Sequence, residues 1–265
     1  MRLESCHALV TGASAGIGRE FARQLGGRAA RLVLVARRAQ RLEELRAELR
    51  ARHPGLEVEV RPTDLSQHAA IDALISWATA QQPPIDLLIN NAGLGDLGAF
   101  ATADPEKVDR MMQVNMVALT RLTRALLPAM IAQRGGAVLN VSSSASFLPI
   151  PNFAVYAATK AYVTSFSEGL RGELHGTGVQ VSALCPGPVQ TEFTDVAQRP
   201  GGERESPPQF VYVPVEQVVR DALSGLESGR PIVIPGWGMK LGMLIVRLTP
   251  LPVLRLASRI TRKRA

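Results

Sequence analysis

The chain has 265 residues, 46% of them hydrophobic, which suits one α/β domain with a sizeable core and excludes global disorder. Its two cysteines, Cys6 and Cys185, lie far apart in apolar surroundings, so we expect buried, reduced thiols rather than a disulfide framework. The net charge of +7 comes from residues 236–265, which hold seven basic and no acidic residues. The basic excess is confined to the C-terminal end, and no known nucleic-acid-binding motif accompanies it, which argues against nucleic-acid binding.

Short apolar runs alternate with longer helical patterns along most of the chain. Several strand candidates are apolar throughout, which indicates parallel strands buried on both faces. The alternation predicts an α/β chain with a single-domain Rossmann fold over residues 1–236: a doubly wound, seven-stranded parallel sheet flanked by helices. The predicted strands are residues 7–10, 32–35, 56–60, 87–90, 137–141, 179–184 and 232–234. The predicted helices are residues 17–25, 40–52, 67–81, 105–134, 155–175 and 215–226.

Two regions break this alternation. Residues 192–213 mix proline, glycine and charge without periodicity, which is typical of a functional lid or a flexible loop. Residues 237–265 form a basic C-terminal extension, in which 253–264 has the apolar and basic sides of an amphipathic helix. Such a helix can lie on a membrane surface, cover the substrate pocket or form a subunit interface. No stretch reaches the roughly 18–20 uncharged apolar residues of a spanning helix, so we expect none.

A glycine-rich turn follows the first strand and opens the first helix. Gly12 allows a tight turn, Gly16 lets the backbone approach a pyrophosphate, and Gly18 lets the helix pack against the strand. The free N–H groups of the helix N-terminus would then face the phosphates. An ordinary glycine-rich turn is the alternative, but the position after the first strand favours a dinucleotide site. Its predicted members are Gly12, Ser14, Ala15, Gly16, Ile17 and Gly18.

The end of the second strand indicates which dinucleotide binds. An acidic residue there would hold the ribose 2′-hydroxyl of NAD, whereas this chain has Arg37 and Arg38. Guanidinium groups can bind a 2′-phosphate, so we predict NADP(H) as the cofactor, with Arg37 as the main contact. Two solvated arginines at the start of the next helix are the alternative.

Tyr156 and Lys160 lie four residues apart in a predicted helix and therefore share one face. A free phenol has a pKa of about 10, and a nearby ammonium group favours the phenolate and lowers that pKa. Ser143 follows the predicted strand 137–141, at the edge of the sheet where such folds bind ligands, so its hydroxyl can reach a substrate oxygen. Turn formation is the alternative role for this serine and its two serine neighbours.

With these residues, the chain resembles the classical short-chain dehydrogenases/reductases (SDR), in particular an NADP-preferring bacterial branch. The resemblance covers roughly residues 6–236. Ser143 stands thirteen residues before Tyr156, as the catalytic serine of the family does. The other matching residues are Asp64 and Leu65 on the adenine side, Asn91, Ala92 and Gly93 after the fourth strand, Asn115 in the long helix, and Pro186, Gly187, Val189 and Thr191 after the sixth strand.

The resemblance implies a role for each catalytic residue. Tyr156 would give a proton to the nascent alkoxide in reduction, and Lys160 would hold the nicotinamide ribose and depress the tyrosine pKa. Ser143 would orient and polarise the carbonyl group. Asn115 would hold a water that links Lys160 to bulk solvent, and Thr191 would fix the nicotinamide carboxamide.

One position departs from the family pattern. Many NADP-using members carry a basic residue just before the second glycine of the turn, where this chain has Ala15. One of two phosphate anchors is therefore missing, and Arg37 and Arg38 would carry more of the preference for NADP(H).

Apolar residues surround the predicted substrate side. Loop 144–153 and the start of the lid offer three aromatic side chains, and none of the neighbouring pocket residues is an Arg or Lys that could clamp a carboxylate. This favours a hydrophobic or lipid-like ketone, aldehyde or alcohol, although the same side chains could simply pack the loop. The predicted substrate contacts are Ser143, Phe147, Phe153, Tyr156 and Phe193.

The sequence thus predicts an NADP(H)-dependent oxidoreductase acting on a carbonyl/secondary alcohol pair. We expect it in the cytoplasm, with peripheral contact to the inner face of a membrane as an option, and as a homo-oligomer, since the family often assembles through the helices corresponding to 105–134 and 155–175. A catalytically silent NADP-binding sensor is the alternative. A sugar-nucleotide epimerase or dehydratase usually has a larger substrate domain. We expect no catalytic metal, because the four histidines lack metal-ligand spacing.

Overall fold

A computed structural model describes residues 3–199, 212–250 and 252–254 of the chain. Within these residues the strands form one sheet, and every strand pair in it is parallel. The strands are β1 (His7–Thr11), β2 (Arg31–Ala36), β3 (Glu57–Pro62), β4 (Leu87–Asn90), β5 (Gly136–Val141), β6 (Val179–Leu184) and β7 (Ile232–Val233). Their order is β3-β2-β1-β4-β5-β6-β7, which confirms the predicted doubly wound, seven-stranded sheet. The order reverses between β1 and β4, where such folds bind ligands.

Helices follow the strands, as the alternating pattern predicts. The bounds of the predicted helices and strands agree with the structure to within two residues. The helices are α1 (Gly16–Leu25), α2 (Ala39–Arg52), α3 (His68–Thr79), α4 (Pro105–Met112), α5 (Leu119–Ala132), α6 (Ala154–Glu173), α7 (Glu192–Ala197), α8 (Val215–Glu227) and α9 (Trp237–Leu248).

The core lies on both faces of the sheet, because alternate side chains of each strand point to opposite faces. In β1, Val10 packs in a cluster with Phe21 of α1 and Val219 of α8. Leu9, its neighbour in sequence, packs on the other face with Ile71 of α3. All five side chains are fully buried, which explains why the strands are apolar throughout.

The predicted helix 105–134 is one helical run with an interruption. A π-helical turn at Gln113–Ala118 separates α4 from α5, and π-helical turns are frequent at functional sites. By length and composition alone the run Pro105–Ala132 could cross a membrane, on a criterion that allows two charged residues in an 18-residue window. Arg121 and Arg124 interrupt its apolar part, so it does not contradict the expectation that no stretch of roughly 18–20 residues is both apolar and uncharged. Half of that window is buried inside the protein, and α5 packs against β4, β5 and α3. The apolar residues of this run therefore serve the core of the fold.

The two irregular regions are described in part. The predicted lid begins with a short helix, α7, rather than an irregular loop, whereas residues 200–211 lie outside the described residues. α9 opens the C-terminal extension. Of the predicted amphipathic helix 253–264, only 253 and 254 are described, and they are helical.

Candidate active site

The loops that follow β1 to β6 enclose one cleft of about 590 Å³. That volume lies in the range of about 300–1,000 Å³ that is typical of ligand pockets. The predicted site residues on its wall are Gly12, Ser14, Ala15, Gly16, Ile17, Arg37, Arg38, Asp64, Leu65, Asn91, Ala92, Gly93, Ser143, Phe153, Tyr156, Lys160, Pro186, Gly187, Val189, Thr191 and Phe193. Three predicted members, Gly18, Asn115 and Phe147, are not on the wall.

The glycine turn brings the N-terminus of α1 to the cleft. Gly12 has a φ of +68°, and a Cβ there would lie 2.7 Å from Nδ2 of Asn91, so only glycine fits. A Cβ at Gly18 would lie 2.3 Å from the carbonyl oxygen of Gly12. Gly18 therefore lets α1 pack beneath the turn, as predicted, and it is not on the cleft wall.

Backbone N–H groups at the start of α1 are available for an anion. The N-cap residue is Ala15, which offers no side-chain cap, and the first turn of the helix carries no acidic residue. Uncapped N–H groups and the positive end of the helix dipole favour phosphate at this place.

The loop after β4 is held against this turn by Thr11, a residue that the sequence analysis did not single out. The Thr11 hydroxyl accepts hydrogen bonds from the backbone N–H groups of Asn91 (2.9 Å) and Ala92 (3.0 Å). Nδ2 of Asn91 donates back to the carbonyl oxygen of Thr11 at 2.9 Å. These bonds fix the two loops to each other, so that both present backbone to the same part of the cleft.

Asn115 lies behind the cleft wall and is almost fully buried. Its Oδ1 accepts a hydrogen bond from the N–H of Leu94 (2.8 Å), and its Nδ2 donates to the Leu94 carbonyl and the Thr159 hydroxyl (3.0 Å each). Both ends of the amide therefore tie the loop after β4 to the π-helical turn and to α6. The side chain positions the loop beside Lys160, and its role in holding a water stays a prediction.

Tyr156 stands at the start of α6 and is buried by aromatic neighbours. Its ring stacks on Phe153, with 4.2 Å between ring centroids, and lies 5.3 Å from the ring of Phe193 on α7. Burial raises the pKa of Tyr156 to about 12, although a hydrogen bond with Ser143 acts in the opposite direction. The phenol is therefore protonated at neutral pH.

Lys160 is buried one helical turn after Tyr156. Its Nζ donates a hydrogen bond to the carbonyl oxygen of Val141 (2.8 Å) and lies 5.7 Å from the centroid of the Tyr156 ring. Burial lowers the pKa of Lys160 to about 8. Burial of the phenol thus outweighs the lowering of its pKa that the resemblance implies, and the ammonium group of Lys160 faces a backbone carbonyl.

The three adjacent serines have different surroundings. Ser142 is buried, and its hydroxyl donates to the Lys160 carbonyl at 2.8 Å. Ser143 lines the cleft with Tyr156 and acts to lower the pKa of that tyrosine, and its Oγ accepts a hydrogen bond from the N–H of Ala145 at 3.1 Å. The geometry thus favours Ser143, the member that the spacing selected.

The two arginines after β2 differ in their contacts. Arg37 is exposed at the cleft edge. Burial acts to raise the pKa of Asp64, but hydrogen bonds from Ser66 and the charge of Arg37 outweigh it and lower that pKa. Arg37 and ionised Asp64 thus stand at the end of the cleft where the adenine side was predicted.

Arg38 reaches across the cleft. Its Nη2 donates to the Ser14 hydroxyl at 3.1 Å, and its Nη1 donates to Oε2 of Glu192 at 2.8 Å. Arg41 binds the other oxygen of Glu192. Glu192 was not predicted as a site residue, since only the folded chain brings α7 to the end of β2.

The far end of α7 is anchored by a second charged group. Asp96 is buried. Its carboxylate accepts a hydrogen bond from Nε of Arg199 (3.0 Å) and forms an ion pair with Nζ of Lys107 (3.0 Å). The N–H of Leu97 donates to the Ala197 carbonyl at 2.8 Å. These contacts hold the lid helix over the substrate side of the cleft.

The substrate side is apolar, as predicted, but its members differ in part. Phe147 turns away from the cleft, and the guanidinium of Arg247 on α9 lies 5.5 Å from its ring centroid. Phe147 ends a short 3₁₀ turn at Ser144–Phe147, and Leu148 and Ile150 of the same loop line the cleft instead. The apolar wall consists of Leu94, Leu97, Leu148, Ile150, Phe153, Phe193, Val196 and Tyr212.

The family model for short chain dehydrogenases matches residues 6–200, well over half of the chain. The chain belongs to the short-chain dehydrogenase family. This confirms the resemblance drawn from the motifs. A short-chain dehydrogenase is an oxidoreductase that acts on alcohol or carbonyl groups, so the enzyme class of the chain is established with its family.

Named relatives of this short-chain dehydrogenase agree with that assignment. A short chain dehydrogenase of Pseudocercospora fijiensis is 38% identical over 195 residues, which cover 72% of this chain and 62% of the relative, less than two thirds of its length. The NADP-dependent 3-hydroxy acid dehydrogenase YdfG of Escherichia coli K12 is 37% identical over 71% of this chain and 75% of its own. A short-chain dehydrogenase of Sphingobium yanoikuyae, solved with NADPH, has a TM-score of 0.81 and 33% identity, covering 90% of this chain and 95% of its own.

The residues of this short-chain dehydrogenase fit a dinucleotide phosphate. A side chain at Gly12 or Gly18 would fill the turn, the N-terminus of α1 is uncapped, and Arg37 lines the same cleft at the end of β2. Backbone donors for the pyrophosphate and a cation for a further phosphate are thus present in one cavity.

Replacing Ser143 with alanine is expected to lower kcat at least about tenfold, because a hydroxyl that binds the reacting oxygen is lost. Ser144→Ala is the matched control and should cost less, since the Ser144 contact recorded beside the cleft is a backbone bond to Pro186. Steady-state turnover of the two variants at saturating cofactor checks this. Equal losses would overturn the choice of Ser143.

Proposed function

We propose that this chain is an NADP(H)-dependent oxidoreductase that transfers a hydride between the nicotinamide and a carbonyl/secondary alcohol pair of a hydrophobic substrate. The observation that carries the proposal is that Ser143, Tyr156 and Lys160 line one cleft, with Lys160 one turn after Tyr156 on the same helix. The cofactor supplies the hydride when bound, and the chain supplies orientation, a proton and stabilisation of charge.

The proton step follows from the state of Tyr156. A phenol with a pKa of about 12 holds its proton at neutral pH, so it acts as a donor to the oxygen of a carbonyl being reduced. Ser143 is a second donor to that oxygen, because its side chain lines the same cleft as the phenol. In the reverse direction the phenolate has to form first, so oxidation is expected to need a higher pH than reduction.

Lys160 and Asn115 act around the tyrosine. The Lys160 ammonium group places a positive charge beneath the developing phenolate and offers donors to a cofactor hydroxyl. Asn115 holds the loop Gly93–Leu94 in place by its two bonds to Leu94, and this loop borders the lysine. Thr191 is the N-cap of α7, and its side chain lies next to Gly16. This position suits a contact between Thr191 and the nicotinamide side of the cofactor.

NADP(H) is the proposed cofactor. Arg37 at the end of β2 offers a cation to a 2′-phosphate, and no acidic residue follows β2 to hold a 2′-hydroxyl. The NADP-dependence of YdfG and the NADPH bound to the Sphingobium yanoikuyae enzyme agree with this choice.

A hydrophobic substrate suits the wall between the lid and the loop after β5. The side chains there are aliphatic or aromatic, and the nearest charged groups of the lid, Glu192 and Arg199, are bound to other protein groups. Apolar area then supplies the binding energy, and Ser143 with Tyr156 sets the orientation of the carbonyl. We place the enzyme in the cytoplasm, and we propose a homo-oligomer formed through the faces of α5 and α6.

The test is NADPH oxidation, followed at steady state, against a panel of ketones and aldehydes of increasing apolar size and a matched set that carries a carboxylate. Turnover that rises with apolar size and is lower with the carboxylates supports the proposal. Tight binding of NADPH without turnover of any member would instead favour a cofactor-binding sensor.

The pH dependence of reduction is expected to reflect Lys160. Since burial lowers its pKa to about 8, the ammonium form is lost above that pH, while Tyr156 keeps its proton until about pH 12. The kcat/KM for a carbonyl substrate at saturating NADPH should therefore fall as the pH rises through about 8. Lys160→Arg stays charged over this range, so its rate, though lower, should not fall there. A decline near pH 8 in both proteins would contradict this origin.

A further inference from the structure

Helix α9 has two apolar faces, of which the protein covers one. Met239, Met243 and Val246 are buried or half-buried and point toward the body of the protein. On the opposite side Trp237 is 81% exposed and Leu248 is 75% exposed. Large apolar side chains are unfavourable in water, so a helix that exposes a whole row of them indicates a contact surface.

The exposed row is continuous. At 100° per residue, Trp237, Leu241, Leu244 and Leu248 fall on one narrow stripe, with Ile245 at its edge. All five are exposed. From Trp237 to Leu248 the stripe is about 16 Å long at a rise of 1.5 Å per residue. We call these five residues the α9 stripe.

The charged residues of α9 and of the sequence after it are all basic. Lys240 and Arg247 lie next to each other along one flank of the α9 stripe, and both are exposed. No acidic residue follows Glu227 in the sequence, whereas residues 255–265 hold five more basic residues. The partner of this surface therefore has to be apolar at the stripe and negative around it.

We propose that the α9 stripe docks on the surface of an anionic phospholipid membrane. A helix with apolar residues on one side, basic residues beside them and a tryptophan at its end has the composition of helices that lie in the membrane interface. Each basic residue near an anionic leaflet adds attraction that salt weakens. A second copy of the chain is a poorer partner, because an antiparallel two-fold contact would bring Lys240 and Arg247 of both copies together, and in any contact α9 offers no acidic residue to pair with them.

Docking would place the substrate side of the enzyme next to the membrane. Met239 of α9 packs against Gly187 at the cleft wall, and Arg247 lies over Phe147 of the substrate loop. A hydrophobic substrate dissolved in the bilayer would then meet the enzyme near the cleft. This consequence rests on the proposed function, whereas the docking itself does not.

The docking is tested by co-sedimentation of the full chain with vesicles, in the absence of cofactor and substrate. Vesicles of phosphatidylcholine alone are compared with vesicles that contain about 30% phosphatidylglycerol, at low and high salt. We expect binding to the phosphatidylglycerol vesicles only, weakened at high salt. Leu244→Glu should weaken it at least about tenfold, and Lys240→Gln combined with Arg247→Gln should reduce its salt dependence.

Phe100→Glu is the matched control, since Phe100 is also a large, exposed apolar residue but lies outside α9, outside the cleft wall and outside the helices of the proposed oligomer, and it should bind as the unchanged protein does. Thermal unfolding and NADPH binding verify that each variant is folded. Failure of the unchanged chain to bind, or equal binding by Leu244→Glu, would overturn the proposal. Loss of a dimer in Leu244→Glu, without any vesicle binding by the unchanged chain, would also overturn it and assign the stripe to a contact between copies. None of these results depends on whether the enzyme reduces a carbonyl.

Discussion

Tyr156→Phe is expected to lower kcat for carbonyl reduction by about a thousandfold, because it removes the proton donor and leaves the aromatic ring in place. The ring still stacks on Phe153 and contacts Phe193, so the fold and the shape of the cleft should be kept. NADPH binding, measured by fluorescence titration, should therefore change little while turnover is lost.

Tyr162→Phe is the matched control for this variant. Tyr162 lies on the same helix, but its hydroxyl contacts Thr120 at the protein surface, away from the cleft. It should keep nearly full activity. Retention of more than about a tenth of the turnover by Tyr156→Phe would mean that another group donates the proton.

Arg37→Asp is expected to weaken NADPH binding by about a hundredfold, or about 3 kcal/mol, because a charge-assisted hydrogen bond is lost and a like charge takes its place. The new carboxylate can accept a hydrogen bond from a ribose 2′-hydroxyl, so NADH should bind more tightly than before. Dissociation constants for both cofactors, measured on both proteins, give the change in preference.

Arg46→Asp controls for the change in overall charge. Arg46 lies on α2, where it pairs with Glu43, and it is not on the cleft wall. It should leave the ratio of the two dissociation constants unchanged. If the unchanged protein already bound NADPH and NADH equally well, or if Arg37→Asp kept the preference for NADPH, the role of Arg37 would be wrong.

The sequence predicts best those features that depend on one element and its neighbours in the chain. Gly12 has to be glycine because of its φ and its contact with Asn91, and the turn between β1 and α1 shows this in its spacing. Tyr156 and Lys160 share a helix face through a separation of four residues. The apolar strands likewise follow from burial on both faces of the sheet.

Features that need several distant elements could not be predicted. The lid anchor joins Asp96 to Arg199, 103 residues apart, and Glu192 meets Arg38 only in the folded chain. Phe147 was misplaced because the direction of a side chain in a 3₁₀ turn does not follow a strand or helix period. The raised tyrosine pKa could not be predicted either, because the burial of the ring depends on Phe153 and Phe193, which the i, i+4 spacing does not contain.

The α9 stripe lies in the C-terminal extension, whose role the sequence left open. The sequence indicated a basic, amphipathic extension but left open whether it meets a membrane, the substrate pocket or another subunit. The structure shows that α9 packs on the cleft wall through Met239 and still exposes Trp237 and Leu248 on its other side. One helix can therefore border the pocket and keep an apolar face for a partner.

Hydride transfer itself is the central claim, and isotope transfer tests it most directly. NADPH carrying deuterium at C4 of the nicotinamide, in each of the two stereochemical forms, is incubated with the enzyme and the panel of hydrophobic ketones and aldehydes, and the alcohols are analysed by mass spectrometry. We predict that one form, and not the other, delivers one deuterium to the carbinol carbon, and that Tyr156→Phe nearly abolishes this product. The absence of labelled alcohol from every member of the panel, or label delivered equally well by Tyr156→Phe, would contradict the account.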